Sequence, residues 1–437
     1  MSNTMDLTNK HVIVLGAGRS GKAAAALALR GGASVSVHDS SDEITGFDPA
    51  ITCVSGATVA TGQGSECDLL VISPGIDGET EFVRAYASNA GEMIGEVELA
   101  YRFYQGRIVA ITGTNGKTTT TELVQRLLSH HGLSCEACGN YGVPFSEIVL
   151  MDQVPETVAL EVSSFQMETI AKFSADVVIW LNFSADHMDR YPTIEAYKAA
   201  KMRVFENLTD QSNVVIRAGE DVGVLPSPVE TFSTESAADY TLDGQWICHG
   251  GERLLDLSPT KLRGLHNAEN AMAAFAACRA FGVSAESAVE ALRGFAPPLH
   301  RCELVRTLDG VEYINDSKAT NLHALDSALR SQQRSIVLIA GGKEKGLDYS
   351  PLKPRLEETT KGIVVMGEIA EQLEKTFSSL SMVVSRALTL GDAVDSATQL
   401  AEPGDTILFS PGTSSFDMYP GYEARGDHFR RIVNKLK

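Results

Sequence analysis

The chain has 437 residues, enough for about three domains at roughly 150 residues each. Hydrophobic residues make up 43% and charged residues 21%, the composition of a folded protein and not of a disordered one. Asp and Glu total 56 against 37 Lys and Arg, a formal charge of −19; this excludes a basic nucleic-acid coat, but not anionic small ligands met by local N–H groups, cations or metal.

No apolar run reaches membrane-spanning length. Residues 1–10 lack a basic stretch before a long apolar core, so no secretory leader is expected. The seven Cys are odd in number and irregularly spaced, and Cys135 and Cys138 form a lone CxxC with no second pair at zinc spacing. Free thiols and a reduced, cytoplasmic protein are expected.

In chain order, His11–Leu15 reads as a strand, 21–30 as an Ala/Leu helix, Ser34–His38 and 68–72 as strands, and 96–104 as a helix leading out of a first unit. A second unit opens with strand 107–111, a Gly/Thr loop and helix Lys117–His130. Strands follow at Thr157–Glu161 and 176–181, then a half-buried helix at 193–207. Residues 240–257 read as hairpin sequence with turns at Asp243-Gly244 and Gly250-Gly251, and 266–281 as a small-residue helix. Pro297-Pro298 marks a break. Strands at 335–340, 362–366, 382–384 and Thr406–Phe409, spaced by helices, form a third unit that closes with helix 422–436. Strands alternating with helices predict α/β domains with mostly parallel, doubly wound sheets.

Gly16, Gly18 and Gly21 make a GxGxxG between strand and helix, and Asp39 ends the next strand. This fits a nicotinamide dinucleotide, another nucleotide diphosphate held at the helix N-terminus, or a glycine turn needed only for packing. Thr112 to Thr119, Thr-Gly-Thr-Asn-Gly-Lys-Thr-Thr, is the stronger signal. Its backbone N–H groups would wrap phosphates, Lys117 would neutralise them and Thr118 would ligate Mg²⁺. Ile111 stands where the usual motif has its first glycine. Two phosphate loops suit an enzyme that uses ATP on a nucleotide-linked substrate better than a simple dehydrogenase.

Glu161 ends an apolar strand, where a carboxylate could hold Mg²⁺. His187, within Asp186-His-Met-Asp189-Arg190, could ligate a second ion or touch substrate, or be a plain loop histidine. Lys201 lies on an amphipathic helix and by composition reads as a solvated cation. Asn267 and Asn270 share a helix face and could read adenine or phosphate, or Asn267 could simply cap the helix. Arg301 follows the Pro-Pro break. Asp316, Lys318 and Thr320 make a polar run richer than a cap requires, and Ser410–Asp417, numbers 410–417, sits at the carboxyl end of a strand, where open α/β sheets bind ligands.

Together these motifs resemble the Mur ligases: the phosphate loop, Glu161-Val-Ser-Ser-Phe-Gln166, Asn182 to Tyr191, the Gly-x-His-Asn-x-x-Asn helix start, His300-Arg301 and Asn315 to Asn321. The resemblance spans the chain in order. It implies three domains: a Rossmann-like N-terminal domain for UDP (1–96), a central P-loop ATPase domain (97–298) and a doubly wound Rossmann-like C-terminal domain for the amino acid (299–437). The N-terminal GxGxxG with Ser73-Pro-Gly75, and Ser410-Pro-x-x-x-Ser415-x-Asp417, resemble the branch that adds D-glutamate to UDP-N-acetylmuramoyl-L-alanine through an acyl phosphate.

Residue by residue, the resemblance places ATP at Gly113, Thr114, Asn115, Gly116, Lys117, Thr118, Thr119, Asn270, Arg301 and Asp316. It makes Lys117, Glu161, His187 and Lys201 catalytic, with Thr118, Glu161, His187 and Lys201 around two Mg²⁺ ions. Lys201 would be a CO₂-derived carbamate, which requires a neutral amine; its neighbour Lys198 is the alternative. The UDP-substrate would meet Gly18, Arg19, Ser20, Asp39, Ser40, Ser73 and Gly75, with Asn140 and Ser163 nearer the sugar and peptide. D-glutamate would meet Thr320, Lys345, Ser415 and Tyr422, with Lys343 the alternative to Lys345, and Tyr422 standing where compared members have Phe. A monomer is expected that closes on its ligands to exclude water, with no nucleic-acid or membrane partner. The alternatives are an NAD(P)-dependent oxidoreductase, an inactive nucleotide-binding scaffold, and a related ligase with a different amino acid.

Overall fold

The computed structural model describes residues 5–188, 190–262, 264–296, 299–332 and 334–437. Asp189 and the Pro297-Pro298 break, with the expected border at 298, lie outside them. The strands form three sheets. In the first, β1 (His11–Leu15), β2 (Ser34–His38), β3 (Thr52–Val54), β4 (Cys67–Ile72) and β5 (Ala90–Gly95) are all parallel in the order β3-β2-β1-β4-β5. The Val-Ile-Val-Leu run of β1 is buried throughout, as a central parallel strand covered on both faces requires.

The second sheet holds β6 (Arg107–Thr112), β7 (Cys135–Gly139), β8 (Thr157–Glu161), β9 (Val177–Trp180), β10 (Asn213–Arg217) and β11 (Val229–Phe232). It is extended by β12 (Tyr240–Asp243), which pairs parallel with β11, and by β13 (Trp246–His249) and β14 (Glu252–Asp256), which follow antiparallel, in the order β14-β13-β12-β11-β10-β9-β6-β8-β7. Its turns fall at Gly244 and at Gly250-Gly251, all at positive φ, where the sequence places them. The third sheet, β15 (Glu303–Leu308), β16 (Val311–Asn315), β17 (Ile336–Gly341), β18 (Thr360–Met366), β19 (Val383–Arg386) and β20 (Thr406–Phe409), runs β15-β16-β20-β17-β18-β19, parallel except for β15.

The chain divides into two compact units: Met1–Asp256 with Asn270–Leu292, and Leu257–Glu269 with Arg293–Lys437. The first two sheets belong to one unit and the third to the other. No helix among the described residues is long and apolar enough to cross a membrane.

Several element boundaries differ from the sequence pattern. The first helix begins at Arg19, after Gly18, and not at 21, so Arg19 and Ser20 lie in its first turn. The expected helix 193–207 is α-helical only over Ile194–Met202 and tightens to a 3-10 turn at Arg203–Phe205. The small-residue helix spans Leu265–Arg279. Asn267 therefore sits inside its first turn, which removes the capping role, because a capping residue must precede the helix.

Candidate active site

In each sheet the site residues stand at the carboxyl ends of adjacent strands, the place where oppositely directed connections leave a crevice. In the first sheet these ends belong to β1, β2 and β4. A Cβ on Gly21 would meet the Gly16 carbonyl oxygen at 1.9 Å, so glycine is required for the helix to sit on the loop. Asp39 ties this loop down: its Oδ2 accepts from Ala17 N at 2.7 Å and its Oδ1 from the Ser41 N–H and hydroxyl. Ser73 Oγ is buried beside Gly16 without a hydrogen-bond partner, while Ser40 and Gly75 are exposed. Arg19 reaches out of the loop, pairing with Glu147 at 3.2 Å and donating to the Gly142 carbonyl at 2.7 Å.

In the second sheet the adjacent strands β8, β6 and β9 deliver Glu161, the phosphate loop and the Asn182–His187 segment, numbers 182–187. Gly116 precedes helix Lys117–His130 at φ 88°, and a Cβ there would strike Asn270 Oδ1, so Asn270 packs on the loop. Thr118 and Thr119 are buried. Lys117 Nζ folds back on its own loop, donating to the carbonyls of Gly113 (3.0 Å) and Thr114 (2.9 Å). Lys201 Nζ donates to the same Gly113 carbonyl at 3.1 Å.

Lys201 is thus not the solvated cation its helix pattern suggests: it is 2% exposed and lies over the Tyr197 ring. Burial, reinforced by the nearby Lys117 charge, pulls its pKa well below the ordinary lysine value, against the opposing pull of Asp186 and Glu161. Glu161 is held by Asn140, whose Nδ2 donates to Oε1 at 2.8 Å; its Oε2 is buried and has no hydrogen-bond partner. Ser163 is used as a helix cap in a reciprocal pair with Gln166. His187 adopts φ 56°, a left-handed conformation costly for a residue with a Cβ. Its ring lies against those of Phe165 and Tyr197.

In the third sheet the ends belong to β16, β20 and β17. Asp316 is buried, accepting from the Ser410 hydroxyl at 2.7 Å and from Cys302 N at 3.1 Å. Burial holds its carboxyl up at about 6. Arg301 Nε and His266 Nδ1 are buried without hydrogen-bond partners. Lys345 Nζ reaches the Thr320 carbonyl at 3.5 Å, whereas Lys343 pairs with Glu368 at 3.8 Å. Ser415 is buried, and Tyr422 begins the helix Tyr422–Val433.

Two residues to which the sequence reading gave no role organise these loops. Asn182 clamps the phosphate loop: Oδ1 accepts from Asn115 N at 2.9 Å, Nδ2 donates to Asn115 O at 3.1 Å, and its carbonyl accepts from Thr114 N. The Asn115 N–H is therefore turned toward Asn182. Arg425 is 2% exposed and donates to the Ser317 hydroxyl and carbonyl and to the Thr413 carbonyl, joining two loops. Burial draws its pKa down to about 10. The signal was an arginine in the apolar stripe of Phe429 and Val433, at i, i+4, i+8.

Among the described residues, no group of three or more His, Cys, Asp and Glu converges on a metal-sized space. Mg²⁺ is compatible with that, because it is commonly held by one or two carboxylates completed by phosphates and water. The partnerless oxygen of Glu161 beside the phosphate loop supplies such a carboxylate.

A glycine-bearing loop between a buried strand and a helix, with its lysine at the strand ends of a doubly wound sheet, defines an α/β protein of the phosphate-loop class. Residues 111–278 match the family model described as the Mur ligase middle domain, and residues 300–412 the one described as the Mur ligase, glutamate ligase domain. The chain belongs to the Mur ligase family. Curated relatives called UDP-N-acetylmuramoylalanine–D-glutamate ligase, from Chromobacterium violaceum, Geobacter metallireducens and Salinibacter ruber, are 36%, 38% and 38% identical to it. They are matched over 99%, 99% and 97% of this chain and the same shares of theirs. Two Thermotoga maritima structures share the fold. The MurF ligase in complex with ADP gives TM-score 0.64 at 18% identity, over 100% of this chain and 97% of that one. UDP-N-acetylmuramate-alanine ligase MurC gives 0.61 at 19%, over 98% and 100%.

Proposed function

We propose that this protein joins D-glutamate to UDP-N-acetylmuramoyl-L-alanine while ATP becomes ADP and phosphate. This would be a cytoplasmic step of peptidoglycan precursor synthesis, serving cell-wall growth, cell shape and cell division. The observation that carries the chemistry is the meeting of the phosphate loop, a partnerless Glu161 oxygen and the buried Lys201 at the ends of β8, β6 and β9. The choice of amino acid is supported by the names of relatives 35–38% identical over nearly the whole chain.

Residues 1–96 would hold the UDP end, 97–298 ATP and 299–437 the incoming amino acid. A carboxylate is a poor electrophile, so its phosphorylation creates the leaving group. The D-glutamate amine then attacks the acyl carbon, forming the amide and expelling phosphate. Lys117 would give up its loop carbonyls for the ATP phosphates. Asn270, Arg301 and Asp316 would address the nucleotide, and Arg19, Asp39 and Ser73 the uridine diphosphate. Lys345, Thr320 and Ser415 would receive the two carboxylates, charge-assisted contacts being the strong ones. Thr118, Glu161 and His187 would hold two Mg²⁺ ions, which neutralise the charge gathered at the transferring phosphoryl group. The depressed basicity of Lys201 favours the neutral amine that CO₂ needs, so a carbamate at Lys201 would add an anionic ligand.

The deciding experiment is ADP release from ATP with UDP-N-acetylmuramoyl-L-alanine and a panel of amino acids. D-glutamate alone should support turnover. Turnover with another amino acid, or none with any, sinks this assignment.

A further inference from the structure

Between β9 and the helix Ile194–Met202, the described residues form neither helix nor strand. His187 stands in this stretch at φ 56°, a conformation that a residue with a Cβ keeps only where its surroundings fix it. The Arg190 and Tyr191 N–H groups both donate to the His187 carbonyl at 3.0 Å, closing a turn. The side chains of the same two residues converge on one carboxylate, that of Glu168. Arg190 Nη2 donates to it at 2.6 Å and the Tyr191 hydroxyl at 2.5 Å. Arg190 also approaches Asp77, but at 3.9 Å, so Glu168 is the closer of the two.

Glu168 is itself held in place. It follows the short helix Ser164–Met167, and Arg203 grips the end of that helix by donating to the Met167, Glu168 and Ile170 carbonyls. Arg203 directly follows the helix that carries Lys201. Phe165, on the short helix, packs against the whole turn. The Arg190 guanidinium lies 4.6 Å from its ring centre, the Tyr191 ring stacks on it at 5.8 Å, and the His187 ring meets it edge-on at 4.9 Å. Bonds to an ionised carboxylate are directional and about twice as strong as neutral ones, so two of them from one turn set its orientation. At its other end the stretch is tied to the phosphate loop through Asn182 and Ser184. His187 lies between these two anchors.

We propose that Glu168 is a positioning residue that acts through His187: by holding Arg190 and Tyr191 it keeps the strained His187 turn, and with it the imidazole, in place beside the phosphate loop. The inference deepens the ligase assignment and rests on it for the part that His187 takes in the reaction.

Glu168→Ala removes both bonds. It should lower kcat for ADP release about tenfold or more, the scale for a misplaced catalytic group. In a His187→Ala background the same change should cost nothing further, because Glu168 acts only through that histidine. A loss of equal size in both backgrounds overturns the proposal. The position of His187 is read directly by NMR of protein labelled with ¹³C at histidine Cε1, the His187 signal being identified by its loss in His187→Asn. In the wild type that signal should stand apart from an exposed histidine, since the Phe165 and Tyr197 rings flank it. In Glu168→Ala it should move toward the exposed position while the signal of buried His38 stays. An unmoved His187 signal overturns the proposal, whatever happens to kcat. If Glu168→Ala disturbs every histidine signal, Tyr191→Phe decides, since it removes one bond only. It should move the His187 signal alone and by less, and no movement overturns the proposal. If the wild type releases no ADP with D-glutamate, the ligase assignment fails separately, and the NMR comparison still tests the positioning.

Discussion

Lys201 is a lysine that the fold keeps from water. Its helix places it inside, its ammonium shares the Gly113 carbonyl with Lys117, and burial with that neighbouring charge lowers its basicity. Lys198, three positions earlier, is half-buried and has no such setting in the phosphate loop. Lys201→Ala should therefore lower kcat on the order of 100-fold or more, the scale for losing a group aimed at developing charge. Lys198→Ala should stay near wild type in the same ADP-release assay; the reverse result would move the catalytic role to Lys198. Asp316 gives a second residue-scale test. Its folded carboxyl titrates at about 6 and its unfolded one near 3.8, so between these values the folded state holds more protons. Stability falls as pH rises through that window, leaving a penalty on the order of 3 kcal/mol above it. His266 has the opposite sign: burial and Arg301 hold it down at about 4, so stability is lost as pH falls from 6.5 toward 4. Asp316→Asn should raise the urea midpoint at pH 7.5 and lose that advantage at pH 4.5. A change of equal size at both pH values would exclude the carboxyl as its source.

At the scale of elements, the loops at the strand ends are held by side chains that copy backbone pairing. The Asn182 amide bonds both backbone groups of Asn115, while Ser184 N donates to Thr114 Oγ1 and that hydroxyl donates to Ser184 O. From the other side, Glu220 accepts from Trp180 Nε1 and Phe183 N. The phosphate loop and the start of the segment bearing His187 are thus tied together by hydrogen bonds. Asn182→Ala removes two hydrogen bonds and should weaken ADP binding about tenfold by calorimetry, while binding of the UDP-substrate stays unchanged. Equal loss at both sites would mean that Asn182 only maintains the fold. Little of this clamp was legible in the sequence. The phosphate loop, its strand and its helix follow from local pattern, but Asn182 differs from any polar residue after a strand only through the partner that the neighbouring strand brings to it. Arg425 was legible in principle, since a charge in an apolar helical stripe must find buried acceptors.

For the whole molecule, an acyl phosphate must be kept from water until the amine arrives, which favours closure around bound ligands. Small-angle scattering should give a smaller radius of gyration with a non-hydrolysable ATP analogue and UDP-N-acetylmuramoyl-L-alanine than without them; an unchanged radius would remove closure from the mechanism. The sequence by itself determined three runs of alternating strands and helices, both glycine loops and the residues at the strand ends. These depend on periodicity and turn chemistry, which act between near neighbours. It also carried the motif order that matches the Mur ligases. Only the tertiary structure decided that Lys201 is buried, that Asn267 lies within its helix, that Lys345 and not Lys343 reaches Thr320, and that Glu168 accepts from Arg190 and Tyr191. Apart from the helix start at Asn267, each depends on a partner far along the chain, and a side chain's charge, burial and direction belong to that partnership, not to its own position in the sequence.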